Sequence, residues 1–138
     1  MDKHCEAAVQ EIVIKPIGFI RSALNDPKDA PRQGSESSVM GELVVDEAYR
    51  EAFLGLKVGQ KIVILYWMHL AERDMLQVHP RHDLSRPLRG VFSTRSPQRP
   101  NPIALDTVEI VEIHGMVLKV RGLDAVDGTP LLDIKCIA

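Results

Sequence analysis

The chain has 138 residues, 45% of them hydrophobic and 26% charged, and a net charge of −2 at neutral pH. We therefore expect one domain over residues 1–138, with residues 1–10 as a loosely ordered N-terminal extension and no additional C-terminal domain. No signal peptide is evident, and no run approaches the roughly 20 apolar residues of a membrane span, so we expect a cytoplasmic protein.

Two early segments, residues 12–20 and 39–45, carry β-branched residues in near-alternation, which is typical of strands. The run KIVILYWM at residues 61–68 is almost wholly apolar, which favours a strand covered on both faces. A buried helix is the alternative, but the run is short and rich in β-branched residues.

A short helix is predicted between the second and third strands. Asp46 is suited to cap it, and Gly55 to end it. Apolar residues recur at helical spacing after Asp46, namely Tyr49, Ala52, Phe53 and Leu56.

The C-terminal third has three alternating runs separated by two turn signals. TVEIVEI precedes His114-Gly115, MVLKVRGL follows, and DAVDGTP separates this run from LLDIKCI. This pattern predicts a β-meander. With two long loops, at residues 25–38 and 79–102, the fold class expected is mostly β: a compact single-domain β-barrel with one short helix and two elaborated loops.

The second loop has an unusual charge distribution. No acidic residue occurs between Asp83 and Asp106, whereas four arginines do: Arg86, Arg89, Arg95 and Arg99. Guanidinium groups match phosphate or carboxylate oxygens in two-point contacts, and the prolines of RSPQRPNP restrict the backbone. The alternative is that single arginines form surface ion pairs with Asp74, Asp83 or Asp106.

Other polar groups give weaker signals. The sequence LDAVDGTP at residues 123–130 reads first as an ordinary turn. His79, His82 and Asp83 lack a clear further metal ligand, so no metal site is expected. His69 follows the apolar run, where a histidine at the edge of the core and a ligand contact are both compatible with the sequence.

Four ordered blocks carry a family resemblance: PIGFIRS at residues 16–22, PRQ at 31–33, GVFSTRSPQRPNPIAL at 90–105 and LDAVDGTPLLDIK at 123–135. They resemble the TrmO family, also called TsaA-like or YaeB-like proteins. The resemblance implies a β-barrel that binds S-adenosylmethionine without a Rossmann fold. It also implies methylation of N6 of threonylcarbamoyladenosine beside the anticodon of tRNA, by a homodimer with the donor pocket near its interface.

Site residues follow from the same resemblance, position by position. The implied donor-binding residues are Pro31, Arg32, Gln33, His69, Leu70, Arg95, Leu105, Ala125, Val126, Asp127 and Gly128. Arg86, Arg89, Arg99 and Asn101 are our candidates for contacts with the anticodon loop. The proton acceptor stays open between Asp127 and His69.

The chain departs from the family pattern at two positions, one inside the third block and one directly after the fourth. Ala104 stands where many relatives have glycine, and Cys136 stands where a proline commonly follows the lysine of DIK. Two other functions stay open: a methyltransferase of this fold that acts on a protein or small molecule, and a non-catalytic module that binds RNA.

Overall fold

A computed structural model describes residues 10–23 and 39–137. Most of the expected N-terminal extension, and the whole of the first long loop, lie outside these residues. The described strands are β1 (Gly18–Ser22), β2 (Met40–Val45), β3 (Lys61–Trp67), β4 (Gln77–Val78), β5 (Arg89–Gly90), β6 (Ile103–His114), β7 (Val117–Arg121) and β8 (Pro130–Cys136).

Six of these strands form a closed barrel in the order β1-β2-β7-β6-β3-β8, and all neighbours are antiparallel. The closing pair is short, with Gly18 opposite Leu131 and Phe19 opposite Pro130. Closure leaves no long unpaired edge in this sheet. The predicted mostly-β barrel is confirmed.

The core follows directly from strand alternation. In β2 and β3 every second residue is buried, because successive side chains point to opposite faces of a strand. The inward positions are filled mainly by branched aliphatic side chains, including Ile20, Leu43, Ile62, Ile64, Ile110, Leu118, Val120 and Leu131. This packing fixes where the end of β3 and the start of β6 lie, and both contribute to the candidate site.

The predicted β-meander is only half right. The β6–β7 hairpin is present, and its turn contains Gly115 in the left-handed region, with φ 60°. However, β8 pairs with β3 and β1 rather than with β7. Residues 122–129 therefore form a crossover connection at the end of the barrel. The meander prediction failed here because alternation of apolar residues specifies which face of a strand is buried but not which strand it pairs with.

The predicted helical segment is present at the expected position, but it is a 3-10 helix and not an α-helix. Glu47–Phe53 forms 3-10 turns with a break at Tyr49, and Asp46 caps them by accepting a 2.9 Å hydrogen bond from the Ala48 N–H. Further single 3-10 turns occur at Pro80–His82 and Val91–Ser93. Within the described residues, no helix has the length and apolar character needed to cross a membrane.

The second long loop is ordered by a small two-stranded sheet. Strand β4 pairs with β5, placing Gln77 opposite Gly90 and Val78 opposite Arg89. Val91 follows this sheet and is buried, so it anchors the loop. The loop therefore reaches β6 as a defined structure.

Candidate active site at the end of the barrel

A cavity of about 320 Å³ opens where three chain segments meet. The segments are the end of β3 with the turn after it, residues 95–106 leading into β6, and the crossover between β7 and β8. Its volume is at the lower end of the range typical of small-molecule sites, about 300–1,000 Å³.

Six of the residues implied by the sequence resemblance share this cavity. They are His69, Leu70, Arg95, Leu105, Ala125 and Val126. The turn that carries His69 is joined to the arginine-rich segment by a 2.8 Å hydrogen bond from the Met68 N–H to the Pro102 carbonyl. The Arg95 guanidinium donates a 2.6 Å hydrogen bond to the Leu105 carbonyl. These bonds hold two cavity walls in fixed relation.

Two implied residues lie next to the cavity without lining it. Asp127 is exposed, and its Oδ1 accepts a 2.9 Å hydrogen bond from the Ser22 N–H. Gly128 has φ 82° and donates its N–H to the Ile20 carbonyl at 2.8 Å. In this arrangement both residues tie the crossover to β1. The remaining implied residues, Pro31, Arg32 and Gln33, lie outside the described part of the chain.

The four candidates for nucleic-acid contacts occupy different environments. Only Arg99 lines the cavity, and its guanidinium donates to the carbonyls of Val91 and Thr94. Arg86 forms an ion pair with Asp83 at 3.4 Å, which is one of the surface pairs considered above. Arg89 is exposed on β5.

Asn101 is held by a neighbouring arginine. Its Oδ1 accepts a 3.0 Å hydrogen bond from Arg73, a residue that sequence reasoning did not single out. Arg73 also donates a 2.7 Å hydrogen bond to the Pro100 carbonyl and lies over the ring of Trp67 at 5.1 Å. It therefore fastens the arginine-rich segment to the end of β3.

Sequence reasoning also missed an acidic cluster in the cavity wall. The Tyr66 hydroxyl lies 2.8 Å from Asp106 Oδ2 and 2.6 Å from Asp124 Oδ1. All three residues line the cavity, and Asp106 is only 4% exposed. Burial, followed by the hydrogen bond and the charge of Asp124, raises the pKa of Asp106 to about 8. Burial, with the two carboxyls, also raises the pKa of Tyr66 above its ordinary value.

A signal for this cluster was present in the sequence. Asp106 shares its strand face with Val108 and Ile110, both of which are buried. A carboxyl in phase with core residues of a strand is rare unless it is paired, so its position indicated a functional or structural role. Asp106 was one of three possible surface partners in the alternative interpretation of the arginines, and its burial excludes it from that role.

Comparison with known proteins identifies the family. Residues 19–137 match the family model for the tRNA-methyltransferase O N-terminal domain. The chain therefore belongs to this family, as the four sequence blocks indicated.

Relatives of similar length are found in archaea. A "Probable S-adenosyl-L-methionine-binding protein" of Methanothermobacter thermautotrophicus is 50% identical over 125 residues, covering 91% of this chain and 89% of the relative. An "S-adenosyl-L-methionine-binding protein" of Archaeoglobus fulgidus is 45% identical over 124 residues, covering 90% and 88% respectively.

Solved structures show the same fold. A crystal structure of TrmO from Pseudomonas aeruginosa superposes with a TM-score of 0.76 at 29% identity, covering 94% of this chain and 57% of that one. A second TrmO crystal structure gives a TM-score of 0.76 at 31% identity, with the same coverage. This chain thus spans just over half the length of the TrmO chains in those structures.

Proposed function

We propose that this protein is an S-adenosylmethionine-dependent methyltransferase, and that the methyl donor binds in the cavity between β3, β6 and the crossover. The observation that carries the proposal is the convergence of three chain segments on one cavity, two of them sequence blocks of this family. The names of the two archaeal relatives support the choice of donor.

The chemistry of the cavity wall fits such a donor. S-adenosylmethionine has a carboxylate, two positive charges and a large nucleoside, so its site needs groups of both signs beside apolar surface. Arg95 and Arg99 supply positive charge, and Asp106 and Asp124 supply carboxyls. Met68, Leu70, Ile103 and Val126 provide apolar contacts.

We assign the donor-binding role to the cavity residues implied by the resemblance, together with Pro31, Arg32, Gln33, Asp127 and Gly128. The first three lie outside the described residues. Asp127 and Gly128 contribute by holding the crossover against β1, since the Asp127 carboxylate accepts the Ser22 N–H.

The bound donor would supply an electrophilic methyl group on a sulfonium sulfur. The protein's residues then need chiefly to align this methyl with the attacking nitrogen, and alignment of this kind is worth on the order of 7–11 kcal/mol. The Arg95–Leu105 and Met68–Pro102 hydrogen bonds hold the walls that would achieve it. Between the two candidate bases, placement favours His69, which lines the cavity, over Asp127, which does not.

The acceptor we propose is N6 of threonylcarbamoyladenosine next to the anticodon of tRNA. The ureido substituent makes this N–H more acidic than that of plain adenosine, which reduces the demand on a base. The exposed Arg89, with Arg86, Arg99 and Asn101 in the same loop, provides the basic surface for the anticodon loop. We also propose a homodimer with the donor site near the interface.

The decisive experiment is methyl transfer with labelled donor. The protein is incubated with tRNA carrying threonylcarbamoyladenosine, and in parallel with the same tRNA lacking this modification. We expect label in the modified tRNA alone, on the adenine N6 position by mass spectrometry. Donor binding without transfer to any tRNA would contradict the acceptor assignment, and label on a protein or metabolite in extract would identify the alternative acceptor. Binding of RNA without affinity for the donor would indicate a non-catalytic module.

A further inference from the structure

The geometry of the acidic cluster of Tyr66, Asp106 and Asp124 requires a proton on one of the two carboxyls, in addition to the proton of the Tyr66 hydroxyl. The Tyr66 hydroxyl lies within hydrogen-bond distance of both carboxyls, at 2.8 Å and 2.6 Å. A phenol has a single proton to donate, so it can satisfy only one carboxylate oxygen. The second contact needs a proton of its own, and the nearest source is a protonated carboxyl.

Burial of the cluster leads to the same conclusion. Asp106 is buried and Asp124 is half-buried, and both carboxyls contact the same hydroxyl. Two ionised carboxylates placed this way repel each other and lose hydration, so one of them stays protonated. The strong upward shift in the pKa of Asp106 agrees with this. Near neutral pH the cluster therefore carries one negative charge and one exchangeable proton.

The remaining negative charge faces the cavity. Within the described part of the chain, the other titratable or charged side chains in the cavity wall are His69, Arg95 and Arg99. Both guanidiniums donate to backbone carbonyls, Arg95 to Leu105 and Arg99 to Val91 and Thr94. Among the described residues, no ion pair within 4 Å joins a basic side chain to Asp106 or Asp124.

An independent observation points to a ligand with positive charge. The two archaeal relatives, 45–50% identical to this chain, are named for binding S-adenosylmethionine. Its sulfonium has no N–H or O–H to donate, so carboxylates, carbonyl oxygens or aromatic faces have to stabilise its charge in a dry site. A positive charge placed next to the pair favours the ionised form of both carboxyls.

We propose that Asp106, with Asp124 and Tyr66, is the proton-exchanging group of the donor cavity. It releases the shared proton when the sulfonium binds, and takes one up when methyl transfer leaves a neutral thioether. This inference rests on the proposed function and assigns a specificity-determining residue within it.

The charges balance at each stage. Before binding, the pair carries one negative charge. With the sulfonium bound, two carboxylates and one positive charge give the same total. In the transfer, the C–S bond breaks with its electrons left on sulfur, and a C–N bond forms from the nitrogen lone pair. The N–H proton of the acceptor passes to the pair, with His69 as the intermediate base, so the cavity again carries one negative charge.

The test uses calorimetry to measure how many protons are released when the donor binds. Donor binding to the wild-type protein is recorded at pH 7 in phosphate and in Tris, whose ionisation enthalpies differ widely. We expect release of about one proton for each S-adenosylmethionine bound, and close to none for S-adenosylhomocysteine, which differs only in lacking the methyl and the sulfonium charge. Up to about pH 8, the affinity for S-adenosylmethionine should increase about tenfold for each unit by which the pH is raised.

Variants then identify the side chain that releases the proton. Asp106→Asn should abolish the proton release and lower the affinity for S-adenosylmethionine about tenfold at pH 8.5, with little change for S-adenosylhomocysteine. His69→Gln, which removes the imidazole from the cavity wall, should retain the release. Asp133→Asn is the matched control, because Asp133 is exposed on β8 and pairs with Lys135.

The difference in proton release between S-adenosylmethionine and S-adenosylhomocysteine, measured on the wild-type protein, tests the inference even if a variant does not fold. Equal proton release with both ligands, or none with either, would overturn the inference while leaving donor binding intact. Loss of the release in His69→Gln would also overturn it. Failure of the wild-type protein to bind the donor would reject the proposed function itself, and this inference with it.

Discussion

The guanidinium of Arg73 donates a 3.0 Å hydrogen bond to the side-chain oxygen of Asn101, and this contact fastens the arginine-rich segment to the barrel. Arg73 also donates to the Pro100 carbonyl at 2.7 Å and lies over the Trp67 ring. A single side chain thus joins the end of β3 to the residues that enter β6, and the cavity lies between these two elements.

We expect Arg73→Ala to weaken donor binding more than it weakens the fold. Loss of the two hydrogen bonds and the ring contact frees the segment that carries Arg95, so donor affinity should fall about tenfold. The free energy of unfolding should fall by about 1 kcal/mol, because these contacts are at the surface. Calorimetry with the donor and urea unfolding give the two quantities.

Arg50→Ala is the matched control for this substitution. Arg50 forms an exposed ion pair with Glu47 on the 3-10 turns, and exposed pairs contribute little to stability. It should leave donor affinity unchanged. Equal losses of affinity in both variants would contradict a specific role for Arg73.

The raised pKa of Asp106 predicts how stability changes with pH. The folded protein keeps the Asp106 proton up to about pH 8, whereas the unfolded chain loses it near pH 4. Between these values the native state binds more protons than the unfolded state, so the free energy of unfolding falls as pH rises. The slope from this group is at most about 1.4 kcal/mol per pH unit.

Asp106→Asn removes this slope. Denaturant unfolding of both proteins at several pH values from 5 to 8 should show the difference in stability shifting in favour of the variant as pH rises. The carboxyls of Glu47, Asp83 and Glu112 have lowered pKa values, so their stabilisation is lost only in more acidic solution. Parallel curves for the two proteins over this range would contradict a buried proton on Asp106.

The barrel could be predicted because its determinants are local. Alternation of apolar residues located β2 and β6, and an almost wholly apolar run located β3. A capping aspartate with its apolar spacing located the helical segment at Asp46. The position of β8 could not be predicted in this way. Its alternation is equally compatible with pairing to β7, and only the closure of the barrel places it between β1 and β3.

The candidate site was predicted from the family resemblance more than from chemistry. Charge patterning drew attention to the arginines, yet Arg99 donates to backbone carbonyls and Arg86 pairs with Asp83. The acidic cluster was missed because Tyr66, Asp106 and Asp124 are far apart in sequence. Only the pairing of β3 with β6, and the crossover that returns over the barrel end, brings them together.

Gly18 lies in β1 between β2 and β8, and we expect its replacement by alanine to destabilise the barrel strongly. A Cβ built on it would overlap the Val44 carbonyl oxygen, which belongs to the backbone of the neighbouring strand and cannot move aside easily. Gly18→Ala should therefore destabilise the protein by about 3 kcal/mol. Gly90→Ala is the control, since its added Cβ has only ordinary contact, 3.9 Å from the Leu76 carbonyl. Urea unfolding of both variants distinguishes the backbone clash from a general effect of alanine.

Arg89 should contribute to tRNA binding through charge alone. It is exposed on β5 and does not line the donor cavity, whereas Arg99 donates to loop carbonyls inside it. Arg89→Ala should weaken tRNA binding at low salt and reduce the slope of log affinity against log salt by about 0.7, the value for one phosphate contact on a single strand. Fluorescence anisotropy with an anticodon stem-loop at several KCl concentrations measures both, and donor calorimetry should show no change. An unaltered salt slope would exclude a phosphate contact at Arg89, and the basic surface for RNA would then have to lie elsewhere on the loop.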